Sequence, residues 1–241
     1  MVGSGFKKGL TVLFLAILLM LPTLALAAQQ ALLQDILSAV KNGYASMADL
    51  HAEFSQRTYV AVLKREEKGS GEVFLKKQGG SAMFRFNYTR PKQQIISNGK
   101  NVWFYLPENK QVIISDTTKL FSGGNGIALS YLTGLGNLSD DFTIRLISES
   151  PDKNGNYQLE LIPKKHNNSV AKLQLYVPAD AVEKVQGGKV PEAFFPIASS
   201  VLHDQMGNRT TIEYSKVRLN GNLANEKFNF KAPSGVEVIK Q

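Results

Sequence analysis

The sequence predicts a mainly β protein, an open or nearly closed antiparallel barrel with helical cover. Three observations support this prediction. Apolar residues near the N-terminus follow a helical spacing, which gives way after residue 50 to alternation with a period of two. About ten alternating runs then follow one another through short turns rich in Gly, Asn and Pro. A glycine-rich apolar stretch at residues 117–139 shows neither period.

Residues 1–27 are predicted to be a cleaved secretory signal peptide. Two lysines precede an apolar run that ends in the small-x-small site Ala25-Leu26-Ala27. A membrane anchor is the alternative, but the cleavage site and Pro22 argue against it. Residues 28–241 would then form the mature protein as a single domain. The chain has no cysteine, so it lacks the acylation site of a bacterial lipoprotein, and the periplasm is the expected compartment.

The chain is basic, with 28 Lys and Arg residues against 20 Asp and Glu residues. Removal of the two signal-peptide lysines lowers the net charge from +8 to +6. An exported basic protein rarely meets nucleic acid, so we expect an anionic membrane surface or an acidic protein as partner. Solubility alone is the other explanation of this charge.

Residues 30–49 predict an amphipathic helix, which Gly43 is expected to weaken or end. Its apolar stripe consists of Leu32, Leu33, Ile36, Leu37 and Val40. The strands that follow have one apolar face, which must be covered. That face is expected to carry Phe54, Leu75, Phe84, Phe86, Ile144, Leu159, Leu173 and Leu175. Residues 227–230 are expected to be a short last strand.

A hairpin around Asn98-Gly99 contains the most unusual strand of the chain. Asn-Gly is the favoured pair of a type I′ turn. The strand that follows, residues 101–106, carries Trp103, Phe104 and Tyr105 in succession. Because neighbouring side chains point to opposite faces, both faces of this strand carry an aromatic ring.

Two stretches interrupt the strand pattern. Residues 117–139 predict short apolar helices hinged by glycines, a composition that suits a movable cover. Residues 178–196 predict a long connection with an apolar tip at Phe194-Phe195. No internal repeat and no second domain is indicated.

The sequence offers little catalytic chemistry. His51, His166 and His203 are far apart and lack the spacing of a metal site. No nucleophile elbow, phosphate-binding loop or dinucleotide-binding glycine motif is present. Catalytic groups can still converge in space. A hydrolase for a hydrophobic substrate, using His203 with Asp204, therefore remains an alternative.

The apolar face allows two interpretations, a filled core and a ligand cavity. Alternation shows which side of a strand is inside but does not show that the inside is empty. Lys77 lies in phase with Val73 and Leu75, on the apolar side and near a strand end. A cation there must reach the rim or a polar acceptor.

The chain resembles the family of periplasmic outer-membrane lipoprotein carrier proteins, the LolA family. The resemblance covers nearly all of residues 28–241 in the family's order. The segments that carry it are FSQ (54–56), GEVFLKK (71–77), SNGKNVWFYLP (97–107), GNRTTIEYSKVRLN (207–220) and FNFKAPSGVEVI (228–239). The resemblance implies an unclosed antiparallel β-barrel, a half-barrel, under a lid made of an N-terminal helix and short inserted helices.

It also implies a monomeric periplasmic carrier without cofactor, metal or catalytic activity. Such a carrier takes acylated lipoproteins from an inner-membrane ABC transporter complex, shields their acyl chains and passes them to an outer-membrane lipoprotein receptor. A lipid-binding or lipoprotein-sensing module of the same fold is the alternative.

The site residues that follow from this resemblance fall into three groups. The expected acyl-chain cavity consists of Phe54, Leu75, Phe84, Phe86, Tyr88, Trp103 and Tyr105. The expected lid consists of Ile127, Leu129, Tyr131, Leu132 and Leu135. Family members often have an arginine that holds the lid, and here Lys77 occupies the matching stretch as a latch or rim residue, without the planar fork of arginine.

Overall fold

A computed structural model describes residues 27–78, 81–117, 138–165, 170–186 and 192–241. Within these residues, twelve strands form one continuous sheet. The strands are β1 (Asp49–Val60), β2 (Arg65–Gln78), β3 (Ser81–Arg90), β4 (Gln93–Ser97), β5 (Asn101–Leu106), β6 (Gln111–Asp116), β7 (Phe142–Leu146), β8 (Asn156–Pro163), β9 (Lys172–Pro178), β10 (Ser199–His203), β11 (Arg209–Leu219) and β12 (Glu237–Lys240).

The sheet is an unclosed antiparallel meander. Its order is β12-β6-β5-β4-β3-β2-β1-β11-β10-β9-β8-β7, so β12 and β7 form its two edges. The pairing of β1 with β11 joins the N-terminal hairpins to the C-terminal ones. One pair departs from the pattern, since β12 runs parallel to β6. The mainly β, unclosed fold predicted from the sequence is confirmed.

Helices cover parts of this sheet. Helix α1 occupies residues 27–46, α2 is Leu138–Asp141 and α3 is Ala179–Gln186. The helical stripe of α1 buries Ile36, Ala39 and Val40 almost completely. Gly43 was expected to weaken or end this helix; it does not end it, because α1 continues through it to residue 46.

The side of the sheet that faces α1 is called the inner face below. Successive side chains of each strand point alternately to the inner face and to the opposite, outer face. The register aligns Leu50 with Leu75 and Leu75 with Phe84 across β1, β2 and β3. These side chains join α1 and the inner residues of β7–β10 in one hydrophobic cluster. Burial of apolar surface on this scale is the main force that holds such a domain together.

The outer face carries a second apolar cluster under the C-terminal segment, residues 220–236. Phe228 is fully buried there against Phe74 and Met83. The expected last strand at 227–230 is therefore wrong, since Asn225–Phe228 is a 3₁₀ helix and the terminal strand β12 comes later. Phe228 and Phe230 alternate as in a strand, but they cover the sheet instead of extending it.

Hydrogen bonds to side chains of β1 and β2 hold the start of this segment. The buried Asp49 carboxylate accepts the backbone N–H groups of Gly221 at 2.8 Å and Leu223 at 3.0 Å. The Lys76 ammonium donates to the Leu223 carbonyl at 2.6 Å. Such charge-assisted bonds are among the stronger ones in proteins, so the C-terminal segment is fixed to the sheet.

Candidate functional site

The inner face is the candidate site, and five of the seven expected cavity residues lie on it. Phe54, Leu75, Phe84 and Phe86 are buried in the inner cluster, and Tyr88 packs against that cluster. They come from three adjacent strands, β1, β2 and β3, because the register places them side by side.

Aromatic rings dominate this part of the inner face. Phe54 meets Tyr88 edge to face with ring centroids 4.8 Å apart, and it meets Phe86 in the same way at 5.8 Å. Gly71 lies between Phe54 and Tyr88 in the register. A Cβ atom at Gly71 would lie 2.0 Å from the Asn87 carbonyl oxygen, so no side chain fits at this position.

The interior is almost filled by these side chains. An apolar cavity of about 20 Å³ remains among Leu50, Val73, Leu75, Phe84, Phe86, Phe195 and Tyr214. That space suits about one water molecule. A hydrocarbon chain therefore fits at this place only after side chains or covering elements have moved. This part of the interior matches the filled core, one of the two interpretations from the sequence.

A polar network marks one end of the apolar region. Beyond Phe54 the inner side of β1 carries Gln56 and Thr58. The Tyr88 hydroxyl donates to the Gln56 side-chain oxygen at 2.9 Å, and Gln56 donates to Thr58 at 3.2 Å. Thr58 in turn meets the Thr210 hydroxyl at 3.1 Å. These groups satisfy one another, so they close the apolar region without leaving a buried polar atom unpaired.

Three tyrosines of this region have hydroxyl groups that are shielded from water. Burial raises the pKa of Tyr88 to about 12. Burial likewise raises the pKa values of the Tyr44 and Tyr214 hydroxyls well above the usual range. Desolvation disfavours the charged phenolate, so burial accounts for the direction of all three shifts.

Trp103 and Tyr105 do not lie in this interior. Their ring centroids are 6.4 Å and 5.1 Å from that of Phe230, in the C-terminal segment on the outer face. Their neighbour Phe104 packs against the inner cluster instead. The assignment of Trp103 and Tyr105 to the cavity is therefore corrected. β5 carries aromatic rings on both faces because both faces are covered.

Lys77 reaches α1. Its ammonium donates to the carbonyl oxygen of Tyr44 near the C-terminal end of the helix, and burial of the amine lowers the pKa of Lys77. The last carbonyls of a helix lack partners inside the helix and carry partial negative charge. The contact is thus a C-terminal cap that fixes α1 to β2. The expected lid residues of the glycine-rich stretch, Ile127, Leu129, Tyr131, Leu132 and Leu135, lie outside the described residues.

The sequence reasoning missed three aromatic residues of this site. Phe195 meets Tyr44 with ring centroids 6.1 Å apart and Tyr214 with ring centroids 5.3 Å apart, edge to face in both cases. Phe194 is buried, so the apolar tip predicted at Phe194-Phe195 packs against the rest of the protein. Alternation along β11 could have placed Tyr214 inside with Ile212. No local signal could have shown where residues 192–198 fold back.

The residues of the hydrolase alternative have other partners. His203 lies 3.2 Å from the Gln174 side-chain oxygen. The Asp204 carboxylate accepts the backbone N–H groups of Met206 and Asn208, which closes the turn between β10 and β11. His51 stacks on Phe74 on the outer face, and His166 lies outside the described residues.

A wide cleft of about 600 Å³ on the outer face includes His203. Its walls carry charges of both signs, among them Arg57, Lys68, Glu66 and Glu213. It is therefore unsuited to a hydrocarbon ligand. In the ranges that the structure describes, no three His, Asp or Glu side chains cluster as metal ligands would. Within the same ranges, no helix is both long and apolar enough to cross a bilayer.

The fold and the inner face together define a half-barrel protein whose apolar interior is covered by an N-terminal helix. The family model of the outer membrane lipoprotein carrier protein LolA matches residues 45–194. The chain therefore belongs to the LolA family, and the recognition made from the sequence is confirmed.

The chain is also similar to individual proteins over most of its length. The chain is 26% identical to an outer-membrane lipoprotein carrier protein from Methylobacillus flagellatus, over 94% of this chain and 98% of that protein. It is 28% identical to the carrier protein from Pseudomonas paraeruginosa, over 95% and 97% of the two chains. The crystal structure of a LolA superfamily protein from Nitrosomonas europaea is similar with a TM-score of 0.41 and 16% identity, over 82% of this chain and 97% of that chain.

Proposed function

We propose that this protein is a periplasmic carrier that shields the acyl chains of lipoproteins between the inner face and α1. The observation that supports it most is the aromatic inner face under a helix whose C-terminal end is held by a hydrogen bond from the Lys77 ammonium. The relatives named as lipoprotein carriers support the same cargo.

The energetics suit a carrier that must also release its cargo. Each buried methylene contributes about 0.8 kcal/mol, so a lipoprotein's acyl chains are strongly driven out of water. Uptake into the nearly filled interior requires that α1 and the rings beneath it separate. The cost of this opening offsets part of the gain from burial. The remaining affinity is lower than a preformed cavity would give, which favours release to a receptor.

The proposal includes the protein's location and partners. Residues 1–27 direct export and are removed, and residues 28–241 act as one domain. An inner-membrane ABC transporter complex loads the carrier, and an outer-membrane receptor unloads it. The protein acts as a monomer, without catalysis, metal or cofactor.

Binding of a triacylated peptide tests the proposal. The purified protein is mixed with a fluorescent peptide that carries three acyl chains, or with the same peptide lacking them. We expect saturable 1:1 binding of the acylated peptide only. Equal binding of both peptides, or of neither, would contradict the proposal. Saturable binding of phospholipid or free fatty acid without binding of the acylated peptide would indicate a lipid-binding module instead.

A further inference from the structure

An apolar groove lies beside the inner cavity, on the other side of two aromatic rings. It has a volume of about 530 Å³, and its walls include Phe194, Phe195, Ile197, Val217 and Leu219. Phe195 and Tyr214 line both this groove and the inner cavity of about 20 Å³. The two spaces are therefore separated at this point by the contact between these rings.

We propose that this groove is where an acyl chain of the cargo first binds, and that the Phe195 ring is the gate through which it reaches the inner face. The proposal rests on the carrier function proposed above and names the route by which cargo enters.

The segment around Phe195 is built to move one ring while its backbone stays fixed. Phe194 is 7% exposed and Pro196 is buried. Both lie so close to α1 that a Cβ atom at Gly43 would come within 2.9 Å of each. Phe195 lies between these two anchors and is itself only half-buried. A change of its side-chain rotamer would open the wall without displacing the segment.

The gate is linked to the capped end of α1. Phe195 leans edge-on against Tyr44, the residue whose carbonyl accepts the Lys77 hydrogen bond. Any movement of this end of α1 removes one of the two aromatic contacts that hold Phe195 in place. Loosening the helix and opening the gate therefore involve the same residue.

The chemistry of the groove favours a hydrocarbon occupant. Most of the residues that line it have apolar side chains, and Val217 is 38% exposed there. The cation at its rim, Lys184, lies 5.8 Å from the centroid of the Phe194 ring. The groove shares two wall residues with a filled apolar interior, so it offers a chain a continuous apolar path inward.

Blocking the groove tests the proposal. Because the chain has no cysteine, Val217→Cys can be modified selectively with a bulky maleimide. Met206→Cys is the matched control, since Met206 is 77% exposed in the turn between β10 and β11 and does not line the groove. We expect modification at position 217 to slow uptake of the triacylated peptide about tenfold or more, and modification at position 206 to leave the rate unchanged.

An unchanged rate after modification at position 217, with binding by the unmodified protein intact, would overturn the gate and leave the carrier function standing. Failure of the unmodified protein to bind the peptide would instead overturn the carrier function itself. If modification at 217 converts a dimer of the unmodified protein to monomers in sedimentation, the groove is a contact between copies and the proposal is wrong.

Phe195→Ala gives a second, independent measurement. Removal of the ring should raise both the uptake rate and the release rate about fivefold to tenfold, while the equilibrium affinity changes less, because a gate affects passage more than the bound state. A loss of affinity with unchanged rates of uptake would contradict the gate. The thermal midpoint is recorded first, and if this variant does not fold, the position 217 experiment decides alone.

Discussion

Lys77→Met removes the charged hydrogen bond that joins β2 to α1. Methionine keeps most of the aliphatic stem but cannot donate to the Tyr44 carbonyl. A hydrogen bond from a charged donor contributes about 1.5–3 kcal/mol when buried, and Lys77 is only half-buried, so we expect a loss of about 1–2 kcal/mol. For a domain of this size, that loss corresponds to a decrease of about 3–6 °C in the thermal midpoint.

The same free energy changes how often the helix end opens. A loss of about 1–2 kcal/mol multiplies the population of the open state about fivefold to thirtyfold. Release of a bound triacylated peptide should accelerate by a similar factor if separation of α1 limits release. Stopped-flow displacement of a fluorescent peptide measures this rate.

Lys76→Met is the matched control, because Lys76 is the adjacent residue on the opposite face. Its ammonium binds the Leu223 carbonyl in the C-terminal segment at 2.6 Å. We expect a comparable loss of stability but an unchanged release rate. Lys77→Arg should restore the slow release of the wild type. If Lys77→Met and Lys76→Met accelerate release equally, the Lys77 contact does not hold the cover and the reasoning is refuted.

Three further predictions concern stability. Gly71→Ala should lower the free energy of unfolding in urea by about 1–3 kcal/mol, because the added Cβ meets the Asn87 backbone. Gly221→Ala, where the added Cβ has room, should be nearly neutral. Equal losses in the two variants would contradict the close approach at Gly71. Phe228→Ala should cost about 3–5 kcal/mol in urea unfolding without changing the rate of peptide release, since this ring belongs to the outer cluster; a faster release would contradict that separation. Hydrogen bonds from Lys172 and Arg145 lower the pKa of Glu160 below its unfolded value, so their stabilisation is present above that unfolded pKa and is lost as the pH falls through the folded one. Glu160→Gln should therefore cost about 1–3 kcal/mol at pH 7, a difference from wild type that disappears in acid; a constant difference across this range would count against the ion pair.

The main features of the sheet could be predicted because the alternation of apolar and polar side chains along a strand is a local property of the sequence. Alternation along Leu75, Phe84 and Phe86 requires that these residues share one face, and the structure aligns Leu75 with Phe84 across neighbouring strands. The phase of Lys77 likewise placed a cation at the rim of the apolar face. What it could not give was the acceptor, since the Tyr44 carbonyl is a backbone group 33 residues away along the chain.

The errors arose where both faces of a strand are apolar. Trp103 and Phe104 are equally hydrophobic, so period two assigns them to opposite faces but cannot decide which face is inside. Phe230 covers Trp103, and this contact between residues far apart in sequence places Trp103 on the outer face. Phe228 and Phe230 themselves alternate like strand residues, and only their tertiary contacts show that they form a cover.

Native mass spectrometry of the protein purified from a periplasm tests the central claim most directly. The account predicts a fraction that carries one acylated lipoprotein and that loses it on addition of excess triacylated peptide. The mass of the displaced protein would show its acyl modification. A preparation that carries no acylated protein, and that forms no complex when the triacylated peptide is added, would contradict the claim that α1 can open over the inner face to hold acyl chains.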